Sequence, residues 1–350
     1  MEQQLTRIAV KIGSNVLTRR DGTLDVTRMS ALVDQVAELH KAGVEIILVS
    51  SGAVASGRSE IHPAKKLDSV DQRQLFSAVG QAKLINRYYE LFREHGIPVG
   101  QVLTMKENFA TRRHYLNQKN CMTVMLENGV IPIVNENDTI SVSELMFTDN
   151  DELSGLIASM MDAQVLIILS NIDGIYNGSP ADPASEVIRK IEHGKDLSSY
   201  IQTSKSSFGR GGMLTKTNIA RKVADEGITV IIANGKRDNI LVDLLHQELP
   251  SLFPDVQSSA LDSQLTYTRF IPAPQPVSSV KKWIAHSEGF AKGELHIDDC
   301  ATKVLASDKA VSILPIGITD VRGEFEKDDI VRIIDLSLIH ISEPTRHAQI

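Results

Sequence analysis

Short apolar segments alternate with longer amphipathic segments along most of the chain. Near-continuous apolar runs rich in valine and isoleucine occupy residues 8–13, 45–52, 98–104, 131–138, 165–171 and 228–235. Runs of this kind predict strands of a sheet that is covered on both faces. Segments with helical periodicity lie between the runs, at residues 27–42, 71–95, 111–128 and 151–163. The alternation predicts an α/β domain with a doubly wound, mainly parallel sheet.

Four of the predicted strands end in small polar residues. These ends are Gly13-Ser14-Asn15, Ser50-Ser51-Gly52, Asn135-Glu136-Asn137-Asp138 and Ser170-Asn171. Ligands of open α/β sheets bind outside the carboxyl ends of the strands. The pattern therefore predicts a polar binding site at that edge of the sheet.

The stretch SFGRGGMLTK, residues 207–216, places glycines just before a segment with helical periodicity. Unpaired N–H groups at a helix start bind anions, and Lys216 adds a full positive charge there. The P-loop consensus sequence G-x-x-x-x-G-K-[ST] is absent, because Lys216 follows Thr215 rather than a glycine. The stretch is therefore either a phosphate site or a surface loop with a solvated lysine.

Two further charged positions stand out. Lys11 lies inside an apolar strand and is either an edge charge or a phosphate ligand. Asp149 and Glu152 have the spacing of a capping box, so Asp149 either caps a helix or holds Lys11 or Lys216 in place. Two lysines, an acidic helix start and a glycine-rich helix start together indicate phosphoryl transfer, which needs charge neutralisation and positioning.

Composition and motif spacing exclude several other classes. A net charge of −7 gives no global attraction for nucleic acid or anionic membranes. The first strand lacks a following Gly-x-Gly-x-x-Gly fingerprint, and the ten histidines have no metal-ligand spacing. Two distant cysteines, no signal-peptide pattern and no apolar run near about 18 residues favour a reduced, cytoplasmic protein.

The chain length favours two domains. Residues 254–264 and 271–279 are rich in proline and small polar residues, which predicts a linker. Short β runs punctuated by glycine follow, and they predict a small β-rich second domain.

Seven segments, in order along the chain, resemble the successive motifs of the glutamate 5-kinase family, whose members are amino-acid kinases. They are VKIGSNVLT, VSSGAVASG, AVGQAKL, PIVNENDTI, FTDNDELSGLIA, LSNIDGIY and GRGGMLTK. The second domain resembles the PUA module, through GELHIDDCATKVL and SILPIGI. The resemblance implies an amino-acid kinase domain over residues 1–255, a linker over 256–275 and a truncated PUA-like domain over 276–335. Residues 336–350 resemble a translated sequencing adapter and are expected to be a non-native tail.

The resemblance implies ATP-dependent phosphorylation of the γ-carboxylate of L-glutamate, with Mg²⁺ accompanying ATP and no metal held by the protein itself. Lys11 and Lys216 would flank the transferring phosphoryl group, and Asp149 would orient these lysines. The residues implied for glutamate binding are Ser51, Asp138 and Asn150. Those implied for ATP binding are Lys11, Ser170, Asn171, Arg210, Gly211, Gly212, Met213, Leu214, Thr215 and Lys216.

The resemblance also implies partners: further copies of the chain in a homo-oligomer, proline as a feedback inhibitor, and the downstream glutamyl-phosphate reductase. Two alternatives stay open. One is a sister enzyme, an acetylglutamate or carbamate kinase. The other is RNA binding through the PUA-like module, which residues 276–335 disfavour because they hold 8 Lys and Arg against 11 Asp and Glu.

Overall fold

The computed structural model describes residues 6–141, 147, 149–194, 213–250, 253, 265–275, 277–287, 290–305, 313–326 and 329–334. The chain divides into two compact units. The first unit comprises residues 1–105 and 121–276, and the second comprises residues 106–120 and 277–350.

An eight-stranded sheet forms the centre of the first unit. Its strands are β1 (Arg7–Ile12), β2 (Glu45–Ser50), β3 (Val99–Thr104), β4 (Ile131–Glu136), β5 (Val165–Ser170), β6 (Lys190–Ile191), β7 (Thr229–Asn234) and β8 (Thr268–Phe270). Their order across the sheet is β3-β4-β2-β1-β5-β7-β8-β6. All neighbours pair in parallel except β7 and β8. The predicted doubly wound, mainly parallel sheet is confirmed.

Helices connect these strands. They are α1 (Ser14–Leu17), α2 (Val26–Lys41), α3 (Ala53–Arg58), α4 (Ser69–Glu94), α5 (Arg112–Glu127), α6 (Asn150–Met160), α7 (Met213–Asp225) and α8 (Ile240–Glu248). The long helices begin and end where the sequence supplies caps. Asp68, for example, accepts hydrogen bonds from the backbone N–H groups of Val70 and Asp71 at the start of α4. Within the described part of the chain, every helix is too short or too polar to span a bilayer.

The core lies on both faces of the sheet. Val10 and Ile12 of β1 belong to one buried apolar cluster, whereas Ala9 belongs to a second cluster on the other face. Because side chains alternate along a strand, Lys11 shares the face of Ala9. Lys11 is only 5% exposed, so its charge is withdrawn from solvent within the sheet. A charge in that position needs a nearby partner.

The second unit contains a three-stranded sheet of β9 (Gly293–Ile297), β10 (Ile318–Gly323) and β11 (Val331–Ile334), with β9 in the middle. Helices α9 (Ser279–His286) and α10 (Asp299–Leu305) belong to it, as do residues 112–120 of α5. Trp283 of α9 is buried and donates from Nε1 to the carbonyl oxygen of Phe109 at 2.9 Å. Residues 106–120 therefore pack with α9 although they lie far from it in sequence.

Two features differ from the domain boundaries expected from composition. Residues 256–275, expected to be a linker, include β8, which pairs with β7 through Val230–Ile232. Residues 106–120, expected inside the first domain, belong to the second compact unit. The sequence pattern did not predict β8, because a strand of only three residues is too short to show a recognisable alternation. The expected tail, residues 336–350, lies outside the described residues.

Candidate active site

Four adjacent strands bring their polar carboxyl ends to one edge of the sheet, as the sequence predicts. In the order β4-β2-β1-β5, these ends carry Asn135 and Glu136, Ser50, Lys11 and Ser170. The chain after β1 stays close to β5, because Gly13 N donates to the carbonyl oxygen of Leu169 at 3.1 Å. A Cβ on Gly13 would lie 3.0 Å from the carbonyl oxygen of Leu169, so the lack of a side chain allows this close approach.

Asp151 joins the two lysines that the sequence singles out. Lys11 Nζ lies 2.5 Å from Asp151 Oδ1, and Lys216 Nζ lies 2.5 Å from Asp151 Oδ2. Asp151 is 1% exposed and sits in the first turn of α6, where the helix dipole stabilises a negative charge. One buried carboxylate therefore holds two ammonium groups side by side, which leaves the trio with one net positive charge.

Close packing of α6 on α7 places Asp151 and Lys216 within reach. Gly155 of α6 faces α7, and a Cβ there would lie 2.8 Å from Ile219 Cγ2. The absence of a side chain at this position lets the two helices approach closely. Lys216 stands in the first turn of α7, so the starts of both helices lie beside the lysine pair.

The ion pairs expected of Asp149 are formed by Asp151, two residues later. Asp149 is the N-cap of α6, and its Oδ1 accepts from the backbone N–H groups of Asp151 and Glu152 at 2.9 and 3.1 Å. The side chain that pairs with the lysines belongs to Asp151. The capping-box spacing already allowed a cap at Asp149. No sequence signal distinguished its carboxylate from that of Asp151, two residues later.

The two carboxylates of this helix start have opposite pKa shifts. Burial and the nearby charge of Asp151 raise the pKa of Asp149 above its ordinary value. Burial alone would also raise the pKa of Asp151, but the charges of Lys11 and Lys216 outweigh it, and this pKa is lowered. Asp151 is therefore ionised at neutral pH and holds both lysines electrostatically.

The expected glutamate-binding residues fall into two groups. In the first group, Asn150 Nδ2 donates to Ser51 Oγ and to Asn135 Oδ1, each at 2.9 Å, and to the carbonyl oxygen of Ser50 at 3.3 Å. Ser50 Oγ is in turn 2.7 Å from the hydroxyl of buried Tyr88. The structure thus brings Ser51 and Asn150 together, and adds Asn135 to them.

The second group surrounds Asp138. Arg73 Nε donates to Asp138 Oδ1 at 2.8 Å, and Arg73 Nη2 lies 2.9 Å from Glu136 Oε2. Ser77 Oγ donates to Asp138 Oδ2 at 3.2 Å. Sequence reasoning missed Arg73 as the partner that Asp138 and Glu136 share, because Arg73 lies in α4, far from β4 in the chain.

Glu136 also holds the chain that follows β4. Its Oε1 accepts from the backbone N–H of Phe147 at 2.9 Å and from Ser141 Oγ at 3.0 Å. Burial raises the pKa of Glu136, and the Phe147 N–H offsets this effect only in part. The placement of Asp138 therefore depends on a network of a buried carboxylate and an arginine.

The structure describes only some of the residues that are expected to bind the nucleotide. Ser170 ends β5, and its carbonyl oxygen accepts from the backbone N–H of Gly235 at 2.8 Å. Asn171 follows, with Oδ1 at 3.5 Å from Ser170 Oγ. The first turn of α7 contains Met213, Leu214, Thr215 and Lys216. Arg210, Gly211 and Gly212 lie outside the described residues.

Comparison with known proteins identifies the family. Residues 6–234 match the profile of the amino acid kinase family, and residues 293–339 match the PUA domain. The chain is 83% identical over 335 residues to the glutamate 5-kinase of Bacteroides thetaiotaomicron, covering 96% of this chain and 89% of the relative. The chain belongs to the glutamate 5-kinase family. The family resemblance and the class of enzyme predicted from the motifs are confirmed.

Another glutamate 5-kinase and a solved structure of a different enzyme are also similar to the chain. The glutamate 5-kinase of Chlorobaculum tepidum is 46% identical over 329 residues, covering 93% of this chain and 86% of the relative. A solved isopentenyl phosphate kinase in complex with its substrate superposes with a TM-score of 0.51 at 16% identity, covering 75% of this chain and 99% of that chain. This structural likeness supports the fold.

Proposed function

We propose that the protein transfers the γ-phosphoryl group of ATP to the γ-carboxylate of L-glutamate, the first step of proline biosynthesis. The observation that supports this most directly is the pair of lysines held by one buried carboxylate. Lys11 and Lys216 each lie 2.5 Å from Asp151 at the carboxyl edge of the sheet. Membership of the glutamate 5-kinase family supports the same reaction.

The proposed reaction needs no general base. A γ-carboxylate has an ordinary pKa of about 4.3, so it is already ionised and nucleophilic at neutral pH. The barrier arises mainly from repulsion between the carboxylate and the phosphate oxygens. Lys11 and Lys216 would offset that repulsion during transfer.

Asp151 would act on the lysines rather than on the substrate. Both of its oxygens are engaged by ammonium groups, and its lowered pKa keeps it charged. It would hold the two nitrogens at fixed positions before substrate binds, so little reorganisation is needed during transfer. The starts of α6 and α7 would add partial positive charge from their unpaired N–H groups.

Glutamate would lie on the side of β4 and β2. The carboxylate of Asp138 and the side-chain oxygen Oδ1 of Asn150 are acceptors that suit an α-ammonium group. Ser51 offers a hydroxyl group. We propose on the same basis that proline, which shares the α-ammonium and α-carboxylate of glutamate, competes for these residues. The homo-oligomer and the contact with glutamyl-phosphate reductase implied by the resemblance also stay proposals.

ATP would lie on the side of β5, against Ser170, Asn171 and the start of α7. Among the described residues, no three acidic, histidine or cysteine side chains come together in a group able to hold a metal ion. We propose that Mg²⁺ accompanies ATP and is held mainly by phosphate oxygens and water, as is usual for kinases. When bound, Mg²⁺ would neutralise part of the charge on the phosphates.

A panel of acceptors tests the proposal against sister enzymes. The full chain is incubated with ATP, Mg²⁺ and L-glutamate, N-acetyl-L-glutamate or carbamate, and ADP release is followed in a coupled assay. We expect kcat/KM for L-glutamate to exceed that for either other acceptor by at least about 100-fold, because a site built to pair polar groups rejects analogues that lack them. A preference for N-acetyl-L-glutamate or carbamate would contradict the proposal.

A further inference from the structure

Three side-chain amides form a hydrogen-bonded row beside the strand ends. Asn150 Nδ2 donates to Asn135 Oδ1 at 2.9 Å, and Asn135 Nδ2 donates to Gln81 Oε1 at 2.9 Å. Gln81 lies in α4, within the motif AVGQAKL, whose residues have no role in the proposed reaction so far. Gln81 and Asn135 are 9% and 3% exposed, so the row is almost entirely buried.

The backbone of β2 sets the direction of this row. Asn150 Nδ2 also faces the carbonyl oxygen of Ser50, and a backbone carbonyl can only accept a hydrogen bond. The amino end of Asn150 must therefore point toward β2 and Asn135. It follows that Asn135 turns its oxygen to Asn150 and its nitrogen to Gln81, which must then present its own oxygen to Asn135.

The free end of the row is consequently a hydrogen-bond donor. Gln81 Nε2 has no hydrogen-bond partner among the described residues. Gln81 lines a cavity of about 230 Å³ together with Ser77, Glu136 and Asp138. An amide nitrogen that faces a cavity and has no protein partner can donate to a ligand there, so a ligand with an acceptor in this position is favoured.

We infer that Gln81 Nε2 binds the α-carboxylate of the amino-acid substrate. This inference rests on the proposed function. The γ-carboxylate of glutamate is assigned to the lysines, and its ammonium group suits the acceptors Asp138 and Asn150. The α-carboxylate then needs a donor near these acceptors, and Gln81 lines the cavity beside Asp138. Arg73 is already engaged by Glu136 and Asp138, whereas Gln81 Nε2 is uncommitted and held in direction by the row.

The variant Gln81→Glu tests this assignment. It keeps an oxygen toward Asn135 but replaces the donor with a carboxylate oxygen, which repels an α-carboxylate. Two acceptors are compared, L-glutamate and its α-amide, which share the γ-carboxylate and the α-ammonium group. We expect the ratio of kcat/KM values, glutamate over α-amide, to fall by about 100-fold in the variant, because a charged hydrogen bond becomes a repulsion.

A matched control separates this contact from a general effect of charge. Gln164 is exposed and stands just before the amino end of β5, at the opposite end of the sheet from the site, so Gln164→Glu adds the same charge away from the row and the cavity. We expect its ratio to stay within about threefold of wild type, because solvent screens an exposed charge. A fall equal to that of Gln81→Glu would overturn the inference.

A second variant, Gln81→Met, removes the donor without adding charge and serves if Gln81→Glu does not fold. We expect its ratio to fall by about tenfold, because one hydrogen bond to a charged group is lost. If wild type phosphorylates L-glutamate and neither Gln81 variant changes the ratio, the inference is overturned while the proposed function stands. If wild type does not phosphorylate L-glutamate, the proposed function fails, and the inference fails with it.

Discussion

Lys11 Nζ lies 2.5 Å from Asp151 Oδ1, and both side chains are almost fully buried. One residue comes from the middle of the sheet and the other from the first turn of a helix. A buried ammonium group or a buried carboxylate alone would be strongly unfavourable, so each residue requires the other. The same carboxylate also holds Lys216, which makes Asp151 the residue on which the arrangement of the cationic site depends.

The first prediction compares the two aspartates of this helix start. Asp151→Asn removes both ion pairs and leaves two neighbouring lysines unpaired, whereas Asp149→Asn keeps a side chain that caps helices equally well. We expect Asp151→Asn to lower kcat by about 100- to 1,000-fold. The loss for Asp149→Asn should be about tenfold at most, because the cap is retained. Steady-state kinetics with L-glutamate and ATP measure both losses.

The comparison also decides which aspartate orients the lysines. Circular dichroism of both variants checks that they are folded. If folded Asp149→Asn loses as much kcat as Asp151→Asn, the ion pairs with Asp151 do not account for catalysis, and the role first expected for Asp149 would return.

The second prediction concerns Arg73, which holds both Asp138 and Glu136. Arg73→Gln leaves two neighbouring carboxylates without their shared cation, so Asp138 should leave its position. We expect KM for L-glutamate to rise by about tenfold with a smaller change in KM for ATP, because one charge-assisted contact is lost. The control is Arg87→Gln on the same helix, where Arg87 forms an exposed pair with Glu90. Equal effects of the two variants on KM would contradict the account.

The third prediction follows from the raised pKa of Glu136. A carboxyl whose pKa is higher in the folded state than in the unfolded chain contributes stability that is present at low pH and is lost as pH rises through the folded pKa. Glu136→Gln cannot titrate but keeps an acceptor for Phe147. We therefore expect the free energy of unfolding of wild type, minus that of Glu136→Gln, to increase as pH falls from neutral toward 4.5, the ordinary value. Urea unfolding across this range measures the difference, and a decrease would contradict the prediction.

The fourth prediction concerns residues 106–120. Trp283 is the only tryptophan of the chain and is buried in the second unit, so its fluorescence reports the unfolding of that unit. Phe109 is 1% exposed, and its carbonyl oxygen accepts from Trp283 and Ser287. We expect Phe109→Ala to destabilise the transition seen by tryptophan fluorescence by about 3–5 kcal/mol, the usual cost of such a cavity.

A matched core variant in the first unit provides the control. Phe92 is also fully buried and lies in α4, which belongs to the first unit. If Phe109→Ala leaves the fluorescence transition unchanged while Phe92→Ala shifts it, residues 106–120 belong energetically to the first unit.

Much of the fold was predictable because the buried strands are strongly apolar. The runs that contain β1, β2, β4, β5 and β7 are nearly continuous and stand between amphipathic segments, so their pattern indicated a covered sheet. The short strands β6 and β8 were not predictable in the same way. They have two and three residues, and pairing within the folded sheet determines them rather than local sequence.

The sequence predicted the charged residues of the site, but it did not predict all of their ion pairs and hydrogen bonds. Lys11 and Lys216 stood out because each is a cation where local sequence favours none. Sequence alone could not tell Asp149 from Asp151, because the choice depends on which carboxylate faces β1 after α6 has formed. Arg73 gave no signal, and Gln81 stood out only as part of the motif AVGQAKL, since polar residues on a long helix are ordinarily solvated. Only tertiary packing brings them to the strand ends.

The most direct test of the proposed reaction is the identity of the trapped product. The full chain is incubated with ATP, Mg²⁺, L-glutamate and hydroxylamine, which converts an acyl phosphate into a hydroxamate, and the product is identified by mass spectrometry and comparison with synthetic standards. The account predicts γ-glutamyl hydroxamate, formed in proportion to ADP and absent without ATP. Formation of α-glutamyl hydroxamate, or release of ADP without any hydroxamate, would contradict phosphoryl transfer to the γ-carboxylate.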